Sequence, residues 1–414
     1  MIPGRRMLMN KSDQLELRKR FKKESCTISR LAGCYVDGYK NKVLTFNENF
    51  LNLDEDEFYK YMDLARKTLS GTIGNNILEL DFPLEEESGG GKQQFYMGLR
   101  ESRLKNDDLL DRLYDMIIEN YVHTGNFLIL VFNDTYDIMS RTSDNIKLDE
   151  SEEVYEYILV SICPVELSKP GLGYREEENR IGARIRDWVV GSPDTGFLFP
   201  AFDGRSQDIH KVDFYTKDVK DSHPEFVEAV IGTGTKRTAW ELKRAFTAIV
   251  KSAYGSDESA GEDVLTDITE SIAVRVQEEI DDADAGYAVT PAVLNKALIG
   301  EILKENEVEE TKAQMILDEC ADEFEEETPE LGVMINKKEL DEKQKQRREK
   351  ELVRENAELK EMLNVTNDDN SVIIKLPVSV ENRISSRVID DQKFVMIPVD
   401  DEKMIIVNGH EADL

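Results

Sequence analysis

Cysteine and long apolar runs are both scarce in this 414-residue chain. Its four cysteines include no Cys-x-x-Cys pair, which excludes a disulfide framework and predicts a reducing compartment. No apolar run approaches the roughly 18 residues that span a bilayer. The first residues also lack the apolar core of a secretory signal. We therefore expect a cytoplasmic protein with no membrane partner.

Acidic residues outnumber basic ones, and the formal net charge is −32. A body of that charge repels nucleic acids, since binding them requires Lys and Arg to neutralise phosphates. The charge is unevenly distributed, because residues 1–42 carry eleven basic and four acidic side chains, whereas 257–330 carry four and twenty-four. Nucleic-acid binding by the basic N-terminus therefore stays open. So does imitation of DNA by the acidic middle, which would occupy a DNA-binding partner.

Strand-like segments dominate residues 30–235. Apolar and polar residues alternate around Asp37-Gly38, which predicts a β-hairpin. Aliphatic runs at 127–132 and 154–162 predict central strands, with the polar stretch between them as a long loop. Strands follow one another without regular intervening helices, so the predicted fold class is α+β with a mixed antiparallel-sheet domain.

The other segments differ from this domain in composition. A basic helix over 10–24 has Ser12 as its expected cap, and a later charged helix carries Leu352, Asn356, Leu359 and Leu363 at the spacing of a short heptad seam. Self-association through 336–364 and a helix packed on its own domain are both open. The predicted divisions are a basic N-terminal helix (1–29), the α+β domain (30–235), an acidic helical segment (236–335), the charged helix (336–366) and a C-terminal β module (367–414).

Several strings occur in an order that resembles a known family. They are RLAGCYVDGYKNKV, LSGTIGNNILELDF, VYEYILVSICPVELSKPGLGY and RIRDWVVGSPDTGFLFPAFDGRSQDIHKVDFY. Together they resemble the domain-of-unknown-function 4317 family of anaerobic Gram-positive bacteria. The resemblance covers about residues 10–235 and the tail RVIDDQKFVMIPVDD. It implies a bacterial cytosolic protein and supplies no activity or cofactor.

Residues 184–213 hold the densest group of side chains suited to chemistry. A metal site needs three or four convergent ligands, and phosphoryl transfer also needs a positive charge near the phosphate. Such a site would suit a divalent metal, namely Mn, Mg or Zn, with Asp213 as a further local candidate and Asp187 and Asp194 as candidates nearby in space. The candidate metal ligands are Asp203, Asp208 and His210; the candidate catalytic residues are Asp187, Asp208, His210, Arg184, Arg186 and Arg205.

A simpler interpretation of the same stretch is structural. Asp203-Gly204 and Asp194-Thr195-Gly196 are typical turn sequences. In the expected strand IHKVDFY, His210 shares an apolar face with Val212 and Phe214, so it is expected to be half-buried. The arginines and Asp208 are explained by neither turns nor core packing.

Three functional hypotheses follow. The favoured one is a non-catalytic protein-binding or assembly protein, because no motif specifies a reaction. The alternative is a metal-dependent hydrolase or phosphoryl-transfer enzyme that uses residues 184–213. The third is nucleic-acid engagement, through the basic N-terminus or through acidic mimicry of DNA.

Overall fold

The computed structural model describes residues 9–141, 147–284, 291–325, 327–335, 337–362, 374–375, 384–389, 392–396, 406–407 and 410–411. The chain divides into two compact units, Met1–Leu340 and Asp341–Leu414. The first unit combines an antiparallel sheet with helices, and the second contains short β-hairpins. The predicted α+β fold class is confirmed.

An eight-stranded sheet forms the centre of the first unit, and its strand pairings are antiparallel. The strands of this unit are β1 (Arg30–Val36), β2 (Lys42–Asn49), β3 (Ile77–Asp81), β4 (Asn126–Arg141), β5 (Lys147–Leu167), β6 (Leu172–Arg175), β7 (Arg180–Ala183), β8 (Trp188–Val190), β9 (Thr195–Phe199), β10 (Ala201–Asp203), β11 (Ser206–Asp208) and β12 (Lys211–Thr216). The order in the sheet is β2-β1-β4-β5-β9-β12-β3, with β8 beside β5. Strands β6 and β7, and likewise β10 and β11, form separate two-stranded sheets.

The central strands of the sheet are buried on both faces, and successive residues of a strand point to opposite sides. In β4, Phe127 and Ile129 enter one core, whereas Leu128 and Leu130 enter the other. One core contains residues of α3, α4 and α5, and the other contains residues of α1 and α2. These helices are α1 (Lys11–Arg20), α2 (Glu55–Thr68), α3 (Lys92–Glu101), α4 (Asp107–Asn120) and α5 (Pro224–Phe226), which continues as a π turn over Val227–Ile231.

The predicted hairpin at Asp37-Gly38 is confirmed by the pairing of β1 with β2. The predicted long loop after residue 132 is wrong, because β4 and β5 continue through most of it as one long hairpin. Ile138 in this stretch is fully buried, whereas the preceding Asp137 is exposed, as expected for neighbours on opposite sides of a strand. The polar composition after residue 132 therefore resembled a loop, although the segment is a strand with buried residues on one side.

The string GFLFPAF contains two strands that belong to different sheets. Strand β9 ends before Pro200, whose nitrogen carries no hydrogen for a sheet ladder. Strand β10 then turns back as β11 through Gly204 and Arg205, whose φ angles are +53° and +63°. Two successive positive φ angles are those of a type I′ hairpin turn. This short hairpin carries Asp203 and Asp208.

Four helices with a third hydrophobic core follow the sheet, so the predicted helical middle segment is confirmed. They are α6 (Ala239–Tyr254), α7 (Glu258–Asp284), α8 (Lys296–Glu305) and α9 (Glu310–Glu323). Helix α6 begins with a capping box, in which Thr238 and Glu241 satisfy each other's backbone N–H groups.

Helix α10 (Lys337–Met362) contains three of the four residues of the predicted heptad seam, Leu352, Asn356 and Leu359. Leu352 is half exposed, and the Asn356 side chain donates to the Leu352 carbonyl of the same helix at 2.8 Å. The side chain of Leu359 and residue 363 lie outside the described residues, so the seam stays a prediction.

The second unit also contains β-hairpins, as predicted for the tail. Its strands are β13 (Ile374–Lys375), β14 (Ser385–Ile389), β15 (Gln392–Met396), β16 (Ile406–Val407) and β17 (His410–Glu411). Strand β14 pairs with β15, and β13, β16 and β17 form a small sheet.

Candidate functional site

Three acidic side chains converge where strand β3 meets strand β12. Glu79 on β3 is the cross-strand partner of Asp213 on β12, so both side chains point to the same face of the sheet. Asp203, the last residue of β10, completes the group. The three residues offer carboxylate oxygens that all lie within 4.8 Å of one another. We call Glu79, Asp203 and Asp213 the carboxylate cluster.

Lys211, the first residue of β12, supplies the positive charge beside the carboxylate cluster. Lys211 Nζ lies 2.7 Å from Glu79 Oε1 and 3.1 Å from Asp203 Oδ2. The side chains of all three residues are at most 10% exposed. One ammonium therefore faces three buried carboxyl groups. The acidic groups outnumber the basic one, and water does not screen their charges.

Backbone hydrogen bonds satisfy only part of the cluster. The Phe202 N–H donates to Asp213 Oδ2 at 3.1 Å, and the Met9 N–H donates to Glu79 Oε2 at 3.0 Å. Asp203 Oδ1 and Asp213 Oδ1 are buried and accept no hydrogen bond. Buried polar atoms without partners are rare, because each one loses its hydration without compensation.

The burial of the cluster changes its acid–base behaviour. The pKa of Asp203 is raised to about 8, chiefly by desolvation. The adjacent Glu79 also raises this pKa, by more than Lys211 lowers it. Desolvation, followed by repulsion from Asp203 and Glu79, raises the pKa of Asp213 well above its usual range. The pKa of Lys211 is also raised, since its hydrogen bonds to Glu79 and Asp203 outweigh desolvation. The cluster is thus suited to holding protons or a cation, and its burial prevents contact with a dissolved substrate.

Helix α1 holds the β10–β11 turn beside the cluster. The buried Asp13 Oδ2 accepts the Gly204 N–H at 3.0 Å, and Glu16 pairs with Arg205 at 3.1 Å. Desolvation raises the pKa of Asp13. The cap of α1 is Asn10, not the expected Ser12, because Asn10 lies in extended backbone and its side chain accepts two N–H groups.

The residues predicted around Asp203 separate into three places. Asp208 Oδ2 lies 3.6 Å from Lys211 Nζ, at the edge of the cluster. His210 precedes β12 and is exposed, with Nδ1 2.8 Å from Glu87 Oε1, so the expectation of a half-buried strand residue is wrong. The strand begins only at Lys211, which leaves His210 in the preceding turn. Arg205 belongs to the contact with α1.

The other predicted residues lie on a different part of the sheet. Arg186 Nε donates to the Ser168 carbonyl at 2.6 Å, and the Asp187 N–H donates to Ser168 Oγ at 3.1 Å. The Arg184 N–H donates to the Gly171 carbonyl at 2.8 Å. These contacts brace the connection from β5 to β8. Of the sequence candidates, Asp203 and Asp213 belong to the carboxylate cluster, and Asp208 reaches its edge through Lys211.

Asp194, a further sequence candidate, belongs to a separate polar group. Tyr121 donates its hydroxyl hydrogen to Asp194 Oδ2 at 2.7 Å, and His223 Nε2 lies 3.7 Å from the same oxygen. The His123 ring is stacked on Tyr121. Asp194 and Tyr121 come from distant segments, so only the fold brings this group together.

Glu79 and Lys211 are the site residues that sequence reasoning missed. Glu79 stands more than a hundred positions before the stretch that drew attention, inside the ordinary strand ILELDF. A weak signal exists, since a glutamate in the middle of an apolar strand is uncommon in a buried sheet. Only the pairing of β3 with β12 identifies its partners.

An exposed apolar surface accompanies the Arg184–Asp187 region. Strands β6 and β7 pair Tyr174 with Ile181, so these side chains and Leu172 share one face of the hairpin. Their exposures are 61%, 64% and 78%. Ile185, Trp188 and Val189 continue the exposed apolar series toward β8. We call these six exposed residues the apolar hairpin surface; Leu172, Tyr174 and Ile181 share one face, whereas Trp188 and Val189, neighbours in β8, point to opposite sides.

Fold and site define an α+β protein with a two-sided antiparallel sheet and a buried carboxylate cluster at one sheet edge. Among the described residues, no helix combines the length and apolar character needed to cross a membrane. A comparison with curated proteins finds no match. The chain belongs to the family described as Domain of unknown function (DUF4317), whose model matches residues 9–410. The match includes the helical middle segment, beyond the range on which the sequence resemblance rested.

Proposed function

We propose that this protein is a non-catalytic assembly protein that associates with a second copy of itself through the apolar hairpin surface. The observation that carries the proposal is the exposure of a whole hairpin face, Leu172, Tyr174 and Ile181. Contiguous exposed apolar patches are uncommon on monomers and mark interaction sites. A two-stranded hairpin is also marginally stable alone in water, so covering this face stabilises it.

The residue types of the surface support a protein partner. Trp188 and Tyr174 are both more than half exposed, and Arg184 stands between them in the chain. Tryptophan, tyrosine and arginine are the residues that most often dominate binding energy at protein interfaces. Strand β8 adds a short exposed edge, where a further strand can pair.

The charges near the surface favour a second copy as the partner. Glu176 and Glu177 lie in the turn between β6 and β7, whereas Arg184 follows the opposite end of the hairpin. A twofold interface sets each patch against its own copy. With the hairpins antiparallel, the acidic turn of one copy meets the arginine of the other. The surface is therefore self-complementary in charge.

The alternative of a metal-dependent hydrolase or phosphoryl-transfer enzyme receives less support. Its predicted arginines contact the β5–β8 connection and helix α1, whereas Asp203 lies in a cluster at most 10% exposed. Phosphoryl transfer requires the metal ligands, the arginines and the substrate to meet.

Nucleic-acid binding by the basic N-terminus is also supported less. Arg20 of α1 lies 3.3 Å from Asp134 and is nearly buried, so its charge is neutralised within the protein. Lys23 pairs with Glu55. Fewer cations are then left to neutralise a row of phosphates.

The proposal includes a location in the bacterial cytoplasm. All four cysteines are free thiols, and Cys34, Cys163 and Cys320 are buried. Oxidising compartments favour disulfides, so free thiols support a reducing one.

Light scattering during size-exclusion chromatography tests the proposal with the full chain at micromolar concentrations. We expect a dimer that Ile181→Glu dissociates. Covering the exposed two thirds of Ile181 contributes about 1–2 kcal/mol per copy, so losing it from both copies raises the dimer Kd about 30- to 1,000-fold. The matched control is Val274→Glu on α7, which removes an equally exposed side chain and leaves the dimer intact.

A charge exchange tests the arrangement of the two copies. Glu177→Arg and Arg184→Glu each place like charges together and weaken the dimer, whereas the two changes in one chain restore it. A wild-type chain that is monomeric at these concentrations would overturn the proposal. So would a dimer that Ile181→Glu and Val274→Glu affect equally.

A further inference from the structure

We propose that Glu79, Asp203 and Asp213 bind one hard divalent cation. This site is separate from the apolar hairpin surface and does not depend on the proposed function. It shares Asp203 and Asp213 with the metal candidates of the sequence, and it differs from them in containing Glu79 in place of Asp208 and His210.

The spacing of the oxygens fits such an ion. Mg²⁺ and Ca²⁺ bind oxygen at about 2.0–2.6 Å, so two ligands across one ion stand up to roughly 5 Å apart. The three carboxylates offer oxygens within 4.8 Å of one another. They come from β3, β12 and β10, elements whose hydrogen-bonded pairing fixes the ligand positions.

Two oxygens of the cluster point independently to a missing ligand. Asp203 Oδ1 and Asp213 Oδ1 are buried and accept no hydrogen bond, although the residues are only 6% and 2% exposed. Their partner oxygens contact Lys211 and the Phe202 N–H respectively, so the carboxylates are anchored on one side only. A cation between the free oxygens would complete both.

The charge of the cluster matches one divalent ion. When an ion displaces the protons of the cluster, three carboxylates and the Lys211 ammonium sum to −2, and a divalent cation brings this to zero. A buried net charge is strongly unfavourable unless it is compensated. Lys211 contacts Glu79 Oε1 and Asp203 Oδ2, which leaves Asp203 Oδ1 and Asp213 Oδ1 to the ion.

An acidic groove adjoins the same strand. It has a volume of about 720 Å³ and is lined by Asp81, Lys236, Arg237 and four acidic residues of α9 and the segment after it. Asp81 follows Glu79 by two positions, on the same face of β3. Lys236 Nζ lies 3.2 Å from Asp81 and 2.5 Å from the Glu79 carbonyl. An excess of acidic over basic side chains raises the local concentration of cations beside the cluster.

The ligand set selects the kind of metal. All three side chains offer oxygen, and the cluster contains no sulfur or imidazole ligand. Oxygen ligands suit Mg²⁺, Mn²⁺ and Ca²⁺, whereas Zn²⁺ prefers nitrogen and sulfur. Mn²⁺ is the practical probe, because its electron paramagnetic resonance signal distinguishes free from bound ion.

Mn²⁺ titration of the chelator-treated full chain tests the proposal at near-physiological salt, which weakens loose binding to surface acids. We expect one tight equivalent per chain, displaced by Mg²⁺ or Ca²⁺. Asp213→Asn and Glu79→Gln, which keep the side-chain shape, should each weaken this equivalent at least tenfold. Asp208→Asn is the matched control, because Asp208 lies at the edge of the cluster and is more exposed.

Circular dichroism establishes that each variant is folded, and Asp203→Asn replaces any variant that is not. The proposal is supported if folded Asp213→Asn and Glu79→Gln lose the tightly bound Mn²⁺ and Asp208→Asn keeps it. Absence of a tight equivalent in the wild type overturns it. Equal binding by the wild type and both cluster variants also overturns it, because the bound Mn²⁺ then lies elsewhere.

Discussion

The change Lys211→Met removes the ammonium from the carboxylate cluster and keeps most of the side-chain volume. Glu79 and Asp203 then lose their contacts of 2.7 and 3.1 Å, while the side chains stay buried. The protein must tolerate unpaired carboxylates or take up protons. We expect a folded protein with clearly reduced stability.

The size of the effect follows from the burial of the pair. Removing one partner of a buried ion pair costs about 3–5 kcal/mol, since the remaining charge loses both its hydration and its counterion. The control is Lys296→Met, the same substitution in a surface pair of Lys296 and Asp318 at 3.1 Å. Exposed pairs contribute little because water screens them. The control should therefore resemble the wild type.

The pH dependence gives a second signature. Asp203 has a pKa of about 8 in the folded protein and an ordinary value of 3.8, so the folded state binds more protons between these values. The contribution of Asp203 to the free energy of unfolding is greatest below pH 3.8, its ordinary pKa. It decreases as the pH rises and is lost by about pH 8. Lys211 lowers this pKa, so Lys211→Met raises it further. The variant should be closest to the wild type near pH 5, and the difference should begin to widen near pH 8 and grow above it.

Urea unfolding in the presence of a chelator measures these differences, with circular dichroism and the fluorescence of Trp188 and Trp240 as probes. The free energy of unfolding is compared at both pH values for the wild type, Lys211→Met and Lys296→Met. The reasoning is refuted if Lys211→Met is no more destabilising than Lys296→Met at pH 8. A larger loss at pH 5 than at pH 8 also refutes it.

Two further predictions concern residues outside the cluster. Burial raises the pKa of Cys163 to about 12 and that of Cys26 to about 11. The native protein should therefore react slowly with a thiol reagent at pH 8, because the thiolate is the reactive form. Rapid labelling of Cys163 would contradict this prediction. Arg205→Ala removes the pair with Glu16 and should lower the free energy of unfolding by about 1–2 kcal/mol in urea titrations. Arg103→Ala, at a more exposed pair, should change it little, and equal effects would contradict a role for Arg205 in holding α1.

Local patterns were sufficient to predict much of the fold. The alternation around Asp37-Gly38 gave the first hairpin, and the aliphatic runs of β4 and β5 gave the central strands, because burial imposes a period of two. The same rule failed after residue 132, where polar side chains on one face of a long hairpin resemble a loop. The prediction that His210 is a half-buried strand residue failed because β12 begins one residue later, at Lys211, which leaves His210 in a turn.

The candidate site was only partly predictable. Asp203 stood out beside a turn, but Glu79 becomes its neighbour only through the order β9-β12-β3. That order depends on which strands pair across more than a hundred residues, and no local pattern encodes it. Lys211 was overlooked because a lysine at the start of a strand is usually exposed, whereas here three acidic side chains surround it.

Strand β3 and helix α1 affect the way this chain folds during synthesis. Both are made early, yet β3 completes its pairing only with β12, and Asp13 reaches its partner only at Gly204. Roughly half of the chain must therefore leave the ribosome before the sheet edge closes. Until then β3 remains an open strand, the kind of segment that aggregates or recruits chaperones. Slow translation once β12 has emerged from the ribosome would allow the sheet to close before the rest of the helical segment emerges.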